Sequence, residues 1–215
     1  MADRGNRQER QSERFLGRAY TLETPDEGRA LYREWAASYD RDLEEELRYI
    51  APASVAAWLA DATQDRDLPV LDVGCGTGLV AENLTRHGFK IIDGLDFSPE
   101  MLAMAEDRGI YRELIQADLN GPLDLPAGFY GAAISCGTFT HGHVGASALD
   151  EILRLTSAGS VFAFTVHREV WQSFGFERKL NELQERSVMT VEKLTDQPYF
   201  EGAEPEGRYC LVRRL

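Results

Sequence analysis

Asp72-Val73-Gly74-Cys75-Gly76-Thr77-Gly78 lies between a short apolar run and an amphipathic helical pattern. Val70–Val73 reads as a buried strand and Leu79–His87 as a helix, so the glycines fall at a strand-to-helix turn. In an open parallel sheet, ligands bind outside the carboxyl ends of the strands. Glycines there permit a sharp turn and let a ligand approach the backbone closely. The helix that follows presents free amides in its first turn. Asp72, just ahead of the loop, would repel a pyrophosphate but could help hold a cationic amino acid moiety.

The rest of the chain repeats that alternation. Strands are predicted at Lys90–Asp96, Tyr111–Ala117, Tyr130–Cys136 and Ser160–Val166, with helices at Pro99–Asp107, Ser147–Thr156 and Phe176–Ser187. Alternating elements imply an α/β fold with a mainly parallel sheet covered on both faces. Val188–Leu194 and Arg208–Arg213 have no helix between them and are joined by a turn-rich stretch, so they predict a hairpin with an antiparallel last strand. Ahead of the sheet, Thr24-Pro25-Asp26-Glu27 has the form of a capping box with proline at the first helical position. Leu31, Trp35 and Tyr39 follow at helical spacing. Residues 1–20 are polar and are expected to form a mobile tail, residues 21–68 a helical cap, and residues 69–215 the ligand-binding domain.

Two more acids end predicted strands. Asp96 can accept hydrogen bonds from both hydroxyls of a ribose. Ser98 and Pro99 then cap and start the next helix, and Asp93 is a bystander. Asp118 in Gln116-Ala117-Asp118-Leu119 can meet an adenine edge or cap a turn. Gly76-x-Gly78-x-x-Ala81 also satisfies the dinucleotide-binding form, which keeps an NAD-dependent dehydrogenase as an alternative. The acid directly before the loop, the acid after the third strand and the absence of room for a separate substrate domain weigh against it.

Val70–Val80 resembles motif I of the class I S-adenosylmethionine (SAM)-dependent methyltransferases. Ile92–Ala105 resembles the family's second motif and Gln116–Leu119 the third. Ala158-Gly159-Ser160 stands where the family has a turn before its fifth strand. More narrowly, Ala51-Pro52, Gly78-Leu79-Val80 and Gly142-His143-Val144 look like the Williams–Beuren-region methyltransferase-like group. The resemblance implies a seven-stranded Rossmann-like sheet with an N-terminal helical cap, and SAM as cofactor. It places Asp72, Gly74, Cys75, Gly76, Thr77 and Gly78 around the methionine part and Asp96 at the ribose. Phe97, Met101, Asp118 and Leu119 fall at the adenine, and Cys136 and Gly137 beside the sulfonium. Trp35 and Tyr39 match a segment that folds over the cofactor. A non-catalytic SAM-binding or regulatory protein is the second alternative.

Composition bears on partners. Asp+Glu 36 against Lys+Arg 23 gives a net charge of −13. Such a field repels nucleic acid, so a small-molecule methyl acceptor and no nucleic-acid partner are expected. No apolar run approaches a membrane span and the first residues are polar, so the expectation is a cytoplasmic protein without membrane contact. Three dispersed cysteines exclude a disulfide framework or a zinc-cysteine site. His143, and after it His141, follow the fourth strand on the ligand side and are the candidates for taking a proton from the acceptor. The acceptor atom and the oligomeric state stay open at this level.

Overall fold

A computed structural model describes residues 2–22, 24–141 and 144–215, with backbone alone for residues 2–10 and Pro25. Its centre is β1 (Pro69–Val73), whose apolar residues are wholly buried. β1 runs parallel to β2 (Ile91–Asp96) on one side and β4 (Tyr130–Phe139) on the other, and β3 (Glu113–Gln116) lies outside β2. The chain therefore steps outward through β2 and β3 and then returns to the opposite side of β1. That reversal opens a crevice at the carboxyl ends of β1 and β4. β5 (Thr156–His167) continues in parallel beyond β4. β6 (Met189–Gln197) and β7 (Gly207–Arg214) complete the order β3-β2-β1-β4-β5-β7-β6, with β7 antiparallel to both neighbours. The expected seven-stranded, mostly parallel sheet with an antiparallel last strand is what forms.

Alternate residues of each strand face opposite sides, and both sides are covered. Val70, Ile92 and Ala132 pack with Val55 and Leu59 of α4 (Ala51–Ala62) and Val80 and Leu84 of α5 (Leu79–Arg86). Leu71, Phe162 and Phe164 pack with Leu149 and Ile152 of α7 (Ala148–Leu155) and with Phe176 and Leu180 of α9 (Phe176–Glu185). α6 (Pro99–Asp107) follows β2, and its predicted cap is present: Ser98 Oγ accepts the Met101 amide at 3.2 Å. No helix among the described residues is long and apolar enough to cross a membrane.

A helical layer precedes the sheet. α2 (Pro25–Trp35) starts with the predicted capping box, Thr24 and Glu27 each accepting the other's amide. α3 (Tyr39–Arg41) runs into a π-helical turn at Asp42–Glu46. Residues 2–19, expected to be a tail, instead form α1 (Ala2–Ala19). Phe15 and Ala19 lie one turn apart and both are buried, with Leu16 half-buried beside them. Phe15 stacks on Trp35 with ring centroids 5.2 Å apart. Two apolar residues four apart leave almost no trace in the composition, yet they share one face. β5 also starts earlier than expected and takes in the turn predicted at 158–160. Gly159 adopts φ +80°, and the β4–β5 register shifts between Tyr130 and Ala132, so the glycine makes an irregularity within the strand. α8 (Arg168–Ser173) was not anticipated.

The Phe15 contact generates the first prediction. Phe15→Ala is expected to cost about 3 kcal/mol, read as a fall in chemical-denaturation stability with faster amide exchange across residues 11–19.

Candidate functional site

The crevice at the switch point is a cleft of about 740 Å³, part of it open to solvent. The loop after β1 forms its floor. Gly74 has φ +67°, and a Cβ there would stand 2.1 Å from Thr138 Oγ1, so no larger residue fits. Gly76 has φ +54° but nothing within 4 Å of the Cβ position, so the open space over this residue belongs to the cleft. Asp96, at the end of β2, holds the loop in place. Its Oδ2 accepts the Gly76 amide and its Oδ1 the Ser98 amide, both at 2.9 Å. Burial raises its pKa, and those two amides work against the rise. Each oxygen bonded to an amide keeps further acceptor capacity, and Asp96 lines the cleft.

Phe97, Met101, Ala117 and Leu119 give the cleft an apolar wall beside that acid, with Asp118 and Asn120 at its edge. Asp118 is exposed, and its Oδ1 accepts both the backbone and side-chain amides of Asn120 at 2.9 Å. Cys136, Gly137, Thr138 and Val144 form the β4 side, and Tyr32 and Tyr39 reach over from the helical layer. The Cys136 thiol contacts Tyr49 Oη at 3.3 Å, and burial pushes its pKa up to about 12, so it carries no thiolate at neutral pH. Burial likewise raises Tyr32 and Tyr39, leaving both phenols protonated.

Ten sequence-predicted residues meet at this cleft: Tyr39, Gly74, Gly76, Asp96, Phe97, Met101, Asp118, Leu119, Cys136 and Gly137. Five others lie behind it. Trp35 is core, donating to Asp42 Oδ2 at 2.9 Å. Cys75 and Thr77 are buried under the loop, and a Cβ at Gly78 would meet Arg108. Asp72 is fully buried, accepts from Tyr111 Oη at 2.8 Å, and does not line the cleft. Desolvation raises its pKa to about 7, Asp96 adding to the rise and Tyr111 opposing it. Its other oxygen, Oδ1, has no partner. Asp93 is a bystander, as expected, and is paired with Arg112 and Tyr130. His143 lies outside the described residues. His141 is turned towards His167 and Glu169 and does not line the cleft, which takes away the proton-acceptor role expected of it.

Sequence reasoning missed Tyr32, Ala117 and Asn120. Tyr32 lies seven residues before Tyr39, and a helical periodicity continued backwards would have found it. It also missed the ion pairs that fasten the helical layer to the loop. Arg108 Nε donates to the Thr77 carbonyl at 2.6 Å, Nη2 pairs with Asp40 at 2.6 Å, and Nη1 pairs with Glu82. Asp40 in turn accepts from the Thr77 hydroxyl.

Beyond the tyrosines lies a second cavity of about 420 Å³. Tyr32, Tyr39 and Gly137 belong to both spaces. Tyr20, Trp35, Tyr49 and Tyr199 give it an aromatic lining, and Leu16 and Ala19 of α1 close it.

SAM fits the residues present. An acid with acceptor capacity stands beside an apolar slot, as a ribose joined to an adenine needs, and the open space over Gly76 admits a ligand that a side chain would exclude. Residues 71–164 match the family model described as a methyltransferase domain. The chain is 36% identical over 137 residues to methyltransferase-like protein 27 of Homo sapiens, covering 62% of this chain and 55% of that protein. It thus spans about half the length of that relative. Over 66 residues it is 42% identical to the 18S rRNA (guanine(1575)-N(7))-methyltransferase of Saccharomyces cerevisiae, covering 31% of this chain and 24% of that one. A TehB-like SAM-dependent methyltransferase from Corynebacterium glutamicum shares the fold, with a TM-score of 0.63 at 21% identity over 86% of this chain and 98% of that one.

The yeast relative corrects the expectation about partners. A protein similar over 66 residues is named for methylating ribosomal RNA, so net charge neither excludes nucleic acid nor singles out a small-molecule acceptor. The reason is geometric. A charge of −13 describes the whole chain, whereas an acceptor meets only the rim of one cleft.

Two predictions follow from these buried charges. The Asp72 carboxyl holds its proton to about pH 7 when folded and to about 4 when unfolded. The folded state therefore binds the extra proton between those values, and stability falls as pH rises through that window, by about 4 kcal/mol at most. Denaturation of wild type and Asp72→Asn at intervals from pH 4 to pH 8 should show a negative slope in the former that the latter lacks. Arg108→Met leaves Asp40 and Glu82 without their partner and should cost about 2 kcal/mol, measured the same way, with weaker SAM binding because the loop loses its tie.

Proposed function

We propose that this chain, a member of the class I SAM-dependent methyltransferases, binds SAM in the cleft over Gly74 and Gly76 and transfers its methyl group to a nucleophile entering through the second cavity. The single observation that carries this reading is the shared wall. Tyr32, Tyr39 and Gly137 line both spaces, so a donor in one and an acceptor in the other would be separated by side chains of a single layer.

In this reading the Asp96 carboxylate takes the ribose hydroxyls, and Phe97, Met101 and Leu119 hold the adenine. Asp118 and Asn120 meet its polar edge. Gly74 and Gly76 bring the backbone against the methionine part, and Cys136, Gly137 and Thr138 flank the reacting end. When bound, SAM supplies a methyl carbon activated by a sulfonium. Displacement at such a carbon needs alignment and dryness above all, and fixing the two reactants in line supplies several kcal/mol of the barrier reduction. Tyr32 and Tyr39 do both from the helical layer: they wall off water and narrow the approach. No described imidazole or carboxylate side chain lines the second cavity, so among the described residues proximity carries the acceleration.

Calorimetry with SAM and S-adenosylhomocysteine tests the cofactor, and saturable binding of both is expected. Asp96→Ala should weaken SAM about ten- to hundredfold, the equivalent of one charge-assisted hydrogen bond, with circular dichroism confirming that the variant is folded. Unchanged affinity removes Asp96 from the site. Incubation with methyl-labelled SAM and separate RNA, protein and low-mass fractions then identifies the acceptor by where the label appears.

A further inference from the structure

On the edge of the sheet that carries the cleft, β4 and β5 end in a second cluster that the methyl-transfer reading does not use. His141 follows β4, His167 ends β5, and Glu169 stands in the first turn of α8. One nitrogen from each imidazole and one carboxylate oxygen all lie within 4.8 Å of one another. His141 Nε2 is 3.1 Å from Glu169 Oε2, and the two rings are 5.0 Å apart.

The cluster is unusual in what it leaves unmet. His167 is 4% exposed. Its Nδ1 accepts the Glu169 amide at 3.4 Å, a long contact, and among the described residues its Nε2 has no partner. His141 Nδ1 is likewise buried without one among the described residues. A neutral imidazole has one donor and one acceptor nitrogen, so each ring keeps one group unsatisfied, and ligation through His167 Nε2 takes the other tautomer, with the proton moved to Nδ1 at the expense of the long amide contact. Tyr20 and Tyr199 pack on His167 as tilted rings, with centroids 4.8 and 6.0 Å away.

We propose that His141, His167 and Glu169 form a binding site for a divalent transition-metal ion of the zinc, cobalt or nickel kind. Two imidazoles and a carboxylate suit those ions, whereas magnesium and calcium prefer oxygen donors alone. Tetrahedral coordination at zinc–nitrogen distances brings ligand atoms to about 3.3 Å from one another. The His141–Glu169 pair already has that spacing. The Glu169 side chain is 73% exposed, so it can move to close the third side and leaves an entry path from solvent. Three protein ligands leave a coordination position open. Tyr20 and Tyr199, which pack on His167, also line the second cavity. The cluster itself does not line that cavity, so the open position faces the solvent side that Glu169 leaves accessible.

The test uses the full chain without an affinity tag, stripped by chelator and titrated with cobalt(II). Saturation at one equivalent with ligand-field absorption in the visible is expected, and a rise in melting temperature with zinc. Glu169→Gln, on the exposed side and therefore safe for folding, should weaken cobalt by about 10–100-fold, and His141→Ala by at least as much. Absence of saturable binding in the wild type, or equal binding in both variants, overturns the site. SAM calorimetry on the same wild-type sample separates the two readings. Cobalt failing while SAM binds removes the ion alone, and SAM failing while cobalt binds removes the methyltransferase reading alone.

Discussion

One hydrogen bond sets the geometry on which the ligand edge depends. Asp96 Oδ2 takes the Gly76 amide across the gap between β2 and the loop after β1. Without it the loop would have only the Leu95 carbonyl, which accepts the Gly74 and Cys75 amides, to hold it against β2. The same carboxylate accepts Ser98 and so fixes the start of α6. A single buried acid thus joins the floor of the cleft to its apolar wall. The left-handed Gly74 then lets the loop pass within contact of Thr138, which bonds the Val73 carbonyl and ties β4 to the same point.

Three acids on two adjacent strands meet the cost of burial in three ways. Asp93 is neutralised by the Arg112 guanidinium and by Tyr130. Asp96 is held by backbone amides and keeps its face to the cleft. Asp72, with one tyrosine hydroxyl and one bare oxygen, keeps its proton to about pH 7. The sequence shows three similar residues, and their roles diverge only through what the fold brings near them. Tyr111, which bonds Asp72, lies 39 residues away in the chain, so strand-end position alone could not foresee that Asp72 would turn inward.

Legibility followed the same line. The strands, the capping box and the glycine turn were readable because each rests on local periodicity or on a residue with a fixed conformational role. The cleft was largely readable because strand ends converge in a parallel sheet. Trp35 was misplaced because an aromatic stripe looks the same whether it faces a ligand or a core, and Phe15, twenty residues earlier, decides the matter. α1 escaped because so few apolar residues, Phe15, Leu16 and Ala19, carry its packing. The Arg108 tie escaped because Asp40, Thr77 and Glu82 are distant in sequence and nothing in the composition links them. The acceptor was misjudged from a global charge, a property that says nothing about one rim.

The placement of β7 has a consequence for how the chain reaches this state. β6 precedes it in sequence yet lies outside it, and the two sheet neighbours of β7 are β5 and β6. A growing or refolding chain that has produced β6 cannot add it to β5, because the intervening place belongs to a strand still to come. β6 pairs with β7 as a hairpin, Gln197 opposite Gly207, and the hairpin then docks on β5 through β7. Docking of the hairpin on β5 depends on contacts remote in sequence, which slows folding, and leaves the β5 edge open for other chains in the meantime. β1 and β4 are joined across a longer stretch still, Val70 opposite Ala132, so the strands that carry the ligand loop depend on a remote contact as well.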